Sequence, residues 1–282
     1  MRNIGPLEGE SAALFPWWSI TKTVLAAAVL RLADRNVLDL DDRYKDWPFT
    51  IRQLLQHTAG LKTYGGPAYQ AAVANGDPVW TVDEMLARRK PRELLFQPGE
   101  GWAYSNIGYL FVRQLIEKVT GRDLEQSLTQ LVFDPMDIRT TTVASSPSDM
   151  ARTKWGNIEN YDPRWVYHGL LIGPPSDAVL FLRAIFAPGF LSENAHAFML
   201  KAYTLGRAIH GRPWTSTGYG LGLMMGEMRD IGRAIGHSGI GHNSVSALYV
   251  FPDRQGEPVV AAFGRGTDEG IVENAAVRLA LG

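Results

Sequence analysis

Apolar positions between residues 19 and 36 do not form a stripe. Ile20, Val24, Leu25, Ala26, Ala27, Ala28, Val29, Leu30, Leu32 and Ala33 cover nearly every face of a helix, with charge only at Lys22 and again from Arg31. This pattern predicts a helix buried on most sides over its first turns. Further along, helical periods over 51–57, 81–89, 107–120 and 176–186 alternate with long turns. Thr81 and Glu84 have capping-box spacing, Gly121 closes the third run, and Pro188 with Gly189 closes the fourth. Beyond residue 215 the texture changes to short, glycine-spaced runs, 219–228, 234–237, 245–251 and 259–264, with Pro-Asp-Arg-Gln-Gly at 252–256 joining the last two. These read as antiparallel strands. A final amphipathic run, 271–281, is expected to be a helix packed back on that sheet. The expected fold class is α+β, an antiparallel sheet flanked by helices plus a mostly helical insertion. Residues 1–45 and 190–282 would form the sheet domain, and 46–189 the helical one.

Composition narrows the function. With 28 Lys and Arg against 29 Asp and Glu the net charge is -1, so no electrostatic footprint for nucleic acid is expected. The absence of cysteine excludes disulfides, thiolate metal sites and cysteine nucleophiles, leaving oxygen or amine nucleophiles. The first 15 residues carry acids and a proline where a signal peptide needs an uninterrupted apolar core, and no segment reaches the ~18 apolar residues of a membrane span. The expectation is a soluble chain, cytoplasmic as written and periplasmic if its N-terminus is truncated.

The stretch FPWWSITKTVLAAA at 15–28 raises a chemical question, because its one lysine stands at the mouth of the buried helix. Ser19 and Lys22 are three apart and share a helix face. A serine hydroxyl becomes a nucleophile when a nearby base takes its proton, and desolvation beside a helix N-terminus can make lysine such a base. The alternative is an ordinary N-cap serine with Lys22 reaching back to solvent. Tyr104-Ser105-Asn106 stands in a turn before the helix of 107–120. There a tyrosine beside an ammonium can ionise more easily and pass a proton, and Asn106 can orient Lys22 or bind a carbonyl; a capping turn with a packed aromatic is the alternative. Gly236-His237-Ser238-Gly239-Ile240 reads as a strand end where glycine lets a substrate approach the backbone and a free N–H can face an oxyanion. A glycine-rich strand end with a satisfied histidine fits it equally. The spacing of His237 and His242 is read as a coincidence of the strand end rather than a metal site.

In this order Ser19-Ile20-Thr21-Lys22, Tyr104-Ser105-Asn106 and His237-Ser238-Gly239 resemble the three motifs of the serine β-lactamase and penicillin-binding-protein superfamily. Within it they are most similar to the class C β-lactamase-like group, which also holds esterases and DD-peptidases. LLQHTAGL at 54–61 and QPGEGWAYSNIGY at 97–109 resemble further segments of that group. The resemblance implies a site in the cleft between a sheet domain and a helical domain. It implies Ser19 as the acylated nucleophile, Lys22 and Tyr104 as the proton-transfer pair, Asn106 as a positioning residue and His237 where other branches carry lysine. The backbone N–H groups of Ser19 and Ile240 would serve as oxyanion donors, and no cofactor or metal is required.

Two departures from the pattern shape the expected function. Related chains build part of the sheet before the nucleophile, whereas only 18 residues precede Ser19. An edge is therefore expected that a loop, charge or a second copy in a homo-oligomer must cover, unless the chain is a fragment. Histidine rather than lysine at 237 holds a substrate carboxylate less well, which favours neutral esters of small acyl groups over a β-lactam or D-alanyl-D-alanine peptide. Trp17, Trp18, Tyr64, Tyr69, Trp80, Trp102, Trp155, Trp165 and Trp214 are candidates for an apolar acyl pocket, most of them as core or wall. A catalytically silent scaffold is the reading from another class. Intact Ser19, Lys22 and Tyr104 argue against it.

Overall fold

The computed structural model describes residues 12–155 and 160–282. Helix α1 (Ile20–Asp34) is the predicted buried helix: every residue from Ile20 to Leu30 is buried, and so is Leu32. Burial of each large aliphatic side chain there contributes roughly 1.5–3 kcal/mol. The remaining helices are α2 (Ile51–Leu55), α3 (Pro67–Asn75), α4 (Val82–Arg89), α5 (Asn106–Thr120), α6 (Leu124–Leu128), α7 (Pro147–Ala151), α8 (Pro175–Phe186), α9 (Glu193–Leu200) and α10 (Gly270–Leu281). Local chemistry sets several of their ends. Thr81 and Glu84 close the predicted capping box of α4, and Gly121, at φ 66°, ends α5 in the left-handed conformation. Helix α3 had no strong periodic signal, since only Ala72 along it is buried.

Two sheets organise the strands. A small one has the order β1-β3-β2 and joins β1 (Phe15–Pro16), β2 (Thr142–Ala144) and β3 (Leu170–Gly173). Strands this short carry no readable period, so sequence reasoning missed them. The large sheet runs β4-β5-β6-β7-β8-β9, antiparallel throughout: β4 (Tyr203–Thr204), β5 (Trp214–Tyr219), β6 (Met224–Met228), β7 (Gly232–Gly241), β8 (Ser244–Val250) and β9 (Val259–Arg265). The run 219–228, expected as one strand, is two. Residues 220–223 turn between β5 and β6, with Gly222 at φ +75° and so close to α1 that a Cβ there would stand 2.5 Å from that of Ala26. Thr23 Oγ1 donates to Gly222 O at 2.7 Å, which fastens this turn to the helix.

The large sheet is covered on both faces. Val245, Ala247 and Tyr249 of β8 pack with Val272 and Ala276 of α10, while Leu248 and Val250 join the main core around α1 and α8, the two-residue alternation of a strand. Helix α8 packs on β8 and β9. The outer edge of β9 carries no strand among the described residues. No helix among them is long and apolar enough to cross a membrane.

Candidate active site

Ser19 occupies the N-cap position of α1, yet its side chain makes no capping hydrogen bond. The hydroxyl is spent elsewhere: Ser19 Oγ shares a 3.1 Å hydrogen bond with Lys22 Nζ and accepts one from Tyr104 OH at 2.9 Å. The ordinary capping role therefore does not hold. The chain enters α1 through Trp18, whose φ of 46° is left-handed, a strain of order 1–3 kcal/mol for a non-glycine residue. Long-range bonds maintain it. Trp17 N donates to Leu171 O at 2.8 Å, Ser246 Oγ donates to Trp17 O at 3.0 Å, and Trp18 Nε1 donates to Ser244 Oγ at 2.9 Å.

Lys22 is fully buried, so it does not reach solvent. Burial holds its pKa well below the usual lysine range, with Glu269 acting in the opposite direction. Its amine lies 5.0 Å from the centre of the Tyr104 ring and shares a 3.1 Å hydrogen bond with His168 Nε2. Tyr104 corrects an expectation. Burial pushes its phenol above the ordinary tyrosine value, outweighing the hydrogen bond to Ser19, so at rest it is a neutral donor rather than an easily ionised group. Its ring leans on that of His57, 4.4 Å away, and His57 Nδ1 accepts from Ser105 N at 3.1 Å. Ser105 itself caps α5, accepting from Gly108 N at 3.0 Å.

Asn106 reaches the site without the contact expected of it. Among the described residues its buried Oδ1 accepts no hydrogen bond, and Lys22 bonds instead with His168. Strand β7 passes beside Ser19: a Cβ on Gly239 would lie 2.6 Å from Ser19 N. Its pairing with β6 ends at Met224 and Gly236, which leaves the backbone edge from His237 to Ile240 open on that side. His237 is buried and neutral, its pKa pushed down to about 3 by burial first and by Lys22 second. Its Nε2 bonds with Tyr219 OH at 2.9 Å and its Nδ1 lies against Ser238 O.

Two cavities meet at Ser19 and Ile240. The smaller, about 370 Å³, is walled by Trp18, Tyr64, Tyr69, Asn106 and His168 among others. The larger, about 760 Å³, has Tyr104, Tyr219, His237, Arg212 and Glu269 in its wall. Of the candidate aromatics, Trp102 lines the larger cavity. Trp17, Trp165 and Trp214 are buried in the core, and Trp155 packs edge-on to Phe15 at 5.0 Å. Trp80 lines a separate cavity.

The comparison with known families matches residues 10–281 to the model described as Beta-lactamase. The chain belongs to the β-lactamase family. A penicillin-binding protein of Bacillus subtilis (strain 168) is 26% identical over 87% of this chain and 59% of its own length. The esterase EstB of Burkholderia gladioli is 33% identical over 45% of this chain and 37% of its own. Among solved structures, a D-stereospecific amidohydrolase from Streptomyces sp. superposes with a TM-score of 0.79 at 25% identity, covering 95% of this chain and 86% of that one. The chain thus spans about 60% or less of the length of these two curated relatives.

Against the family pattern, sequence reasoning missed three residues of the cleft. Arg212, isolated among glycines and loops, donates through Nη2 to Ser238 Oγ at 2.8 Å and pairs with Glu269 at 2.9 Å and with the buried Glu273. Glu269 Oε1 accepts from Ser238 Oγ at 3.0 Å. A cation therefore does stand near His237, but two carboxylates compensate it. The third is His168, whose only signal was a polar ring inside the apolar segment WVYHGLLIG. Among the described residues no three His, Cys, Asp or Glu are grouped to hold an ion.

Proposed function

We propose that this β-lactamase-family chain is a serine hydrolase that forms an acyl-enzyme on Ser19 and hydrolyses carboxylic esters of small acyl groups. One observation carries the reading: Ser19 Oγ lies between a buried amine at 3.1 Å and a phenol at 2.9 Å, where two cavities meet. Lys22, whose pKa burial lowers well below the usual lysine range, takes the Ser19 proton as the oxygen attacks the carbonyl. Tyr104 gives its proton to the leaving group and recovers one from Lys22. Water then repeats the sequence on the acyl-enzyme. The backbone N–H groups of Ser19 and Ile240 hold the oxyanion in both halves. Beside Ser238 the neutral imidazole of His237 and the compensated charge of Arg212 offer a substrate carboxylate no free cation, which supports neutral esters; the other cation of the larger cavity's wall, Arg207, is exposed.

D-amino-acid amides or peptides are the second reading. Glu269, a carboxylate in the wall of the larger cavity, suits a substrate ammonium, and the Streptomyces relative is a D-stereospecific amidohydrolase. The deciding experiment offers p-nitrophenyl acetate and butyrate, a chromogenic cephalosporin and a D-alanyl peptide to the native protein and to Ser19→Ala. We expect turnover of the esters above the others and its loss in Ser19→Ala. Turnover that persists in the variant removes Ser19 from the mechanism.

A further inference from the structure

The residue at the back of Lys22 has no part in the scheme above, and its geometry is specific. His168 is 3% exposed and both of its ring nitrogens are engaged, Nε2 with Lys22 Nζ at 3.1 Å and Nδ1 with Tyr64 OH at 3.1 Å. It stands just before β3, which is tied to the catalytic helix: Leu171 N donates to Thr21 Oγ1 at 3.1 Å and Leu171 O accepts from Trp17 N at 2.8 Å. Its position relative to Ser19 and Lys22 is therefore built into the fold.

A neutral amine has two N–H groups and one lone pair, and Lys22 has two neighbours at 3.1 Å, Ser19 Oγ and His168 Nε2. If Nε2 carried the imidazole proton it would compete with Ser19 for that lone pair. It would also face an ammonium N–H once Lys22 had taken the serine proton, two donors pointing at each other where no bulk water can intervene. Only the tautomer protonated on Nδ1, with Tyr64 oxygen as acceptor, is compatible with both states of Lys22. Lys22, Arg113, His237 and His57 all act against a positive charge on His168, after burial itself, and favour the neutral ring.

We propose that His168 is a positioning residue of the hydrolytic site: its Nε2 accepts a hydrogen bond from Lys22 and turns the amine's lone pair toward Ser19 Oγ, while Tyr64 holds the ring in the tautomer this requires. In acylation the Ser19 oxygen bonds to the acyl carbon as its proton moves to Lys22. The bond to the leaving oxygen breaks as that oxygen takes the Tyr104 proton, which Lys22 replaces. His168 keeps its own proton throughout.

The role rests on the hydrolase reading, so Ser19→Ala is run beside every variant. The measurements are kcat, KM and the pH profile of kcat/KM on p-nitrophenyl acetate. His168→Leu is expected to lower kcat about 10- to 100-fold with little change in KM, the scale of a misplaced reacting group. Because an acceptor beside an ammonium favours the charged form, its removal also moves the acidic limb of the profile to lower pH. His168→Gln, which restores an acceptor, recovers most of the rate. Tyr64→Phe, which frees the other tautomer, lowers kcat and moves the limb the same way; this variant and His168→Gln decide the matter if His168→Leu does not fold. An acidic limb that stays in place in the folded variants, or a glutamine as impaired as leucine, overturns the role. Activity surviving in Ser19→Ala overturns the hydrolase reading instead.

Discussion

Lys22 shows what an individual residue contributes and what it costs. Its spacing from Ser19 is legible in the sequence, because a helix always brings positions three apart together. Its desolvation is not, since the groups enclosing it include Tyr109 and His168, far away along the chain. A lysine whose pKa is lowered by burial opposes folding wherever the unfolded chain holds the proton more tightly, below about pH 10.4. Lys22→Met should therefore abolish acylation while raising the thermal midpoint by roughly 2–8 °C, the span of one to two kcal/mol in a chain of this size. Calorimetry beside an ester assay checks this, and a lowered midpoint counts against it. Tyr104 illustrates the opposite limit. Proximity to an amine suggested easier ionisation, but burial wins and the phenol stays protonated.

At the scale of elements, β7 is the decisive one. The sequence located its motif, His237-Ser238-Gly239, but not its path against the start of α1, where Ser19 N and the Trp18 side chain fill the space a Cβ on Gly239 would need. Gly239→Ala should force the two apart, lowering kcat/KM at least tenfold and destabilising the fold by about 1–3 kcal/mol, the usual cost of overpacking. Activity and denaturation midpoints equal to those of the native protein would show that the approach is looser than drawn. Elements with local signals were legible, such as α4 through its capping box and β8 through its short run ahead of the turn at 252–256. The run 219–228 was misread because its split depends on packing against α1, and β1 and β3 were missed because two to four residues show no period.

Across the whole molecule, acid sensitivity follows from three buried imidazoles. Burial is the first cause of the lowered pKa of His57, His168 and His237, the last to about 3. Unfolded histidine titrates near pH 6.5, so below that pH the unfolded chain binds more protons than the folded one and stability declines toward pH 3. Chemical denaturation should show a gentle fall from pH 9 to 7, owing to Lys22, and a steeper one below about 6.5; equal stability at pH 7.5 and 5 would contradict this. The sequence by itself determined the α+β class, the buried helix behind Ser19 and the chain order of Ser19, Lys22, Tyr104 and His237, because each rests on local periodicity or a short motif. Tertiary structure alone decided which protons are held. It brought His168 to Lys22, compensated Arg212 with Glu269 and Glu273, kept Tyr104 neutral and left Asn106 Oδ1 without a partner. The physical reason is that charge and hydrogen bonding in a buried site depend on neighbours 57 to 146 residues apart in the chain, and their burial exists only after folding.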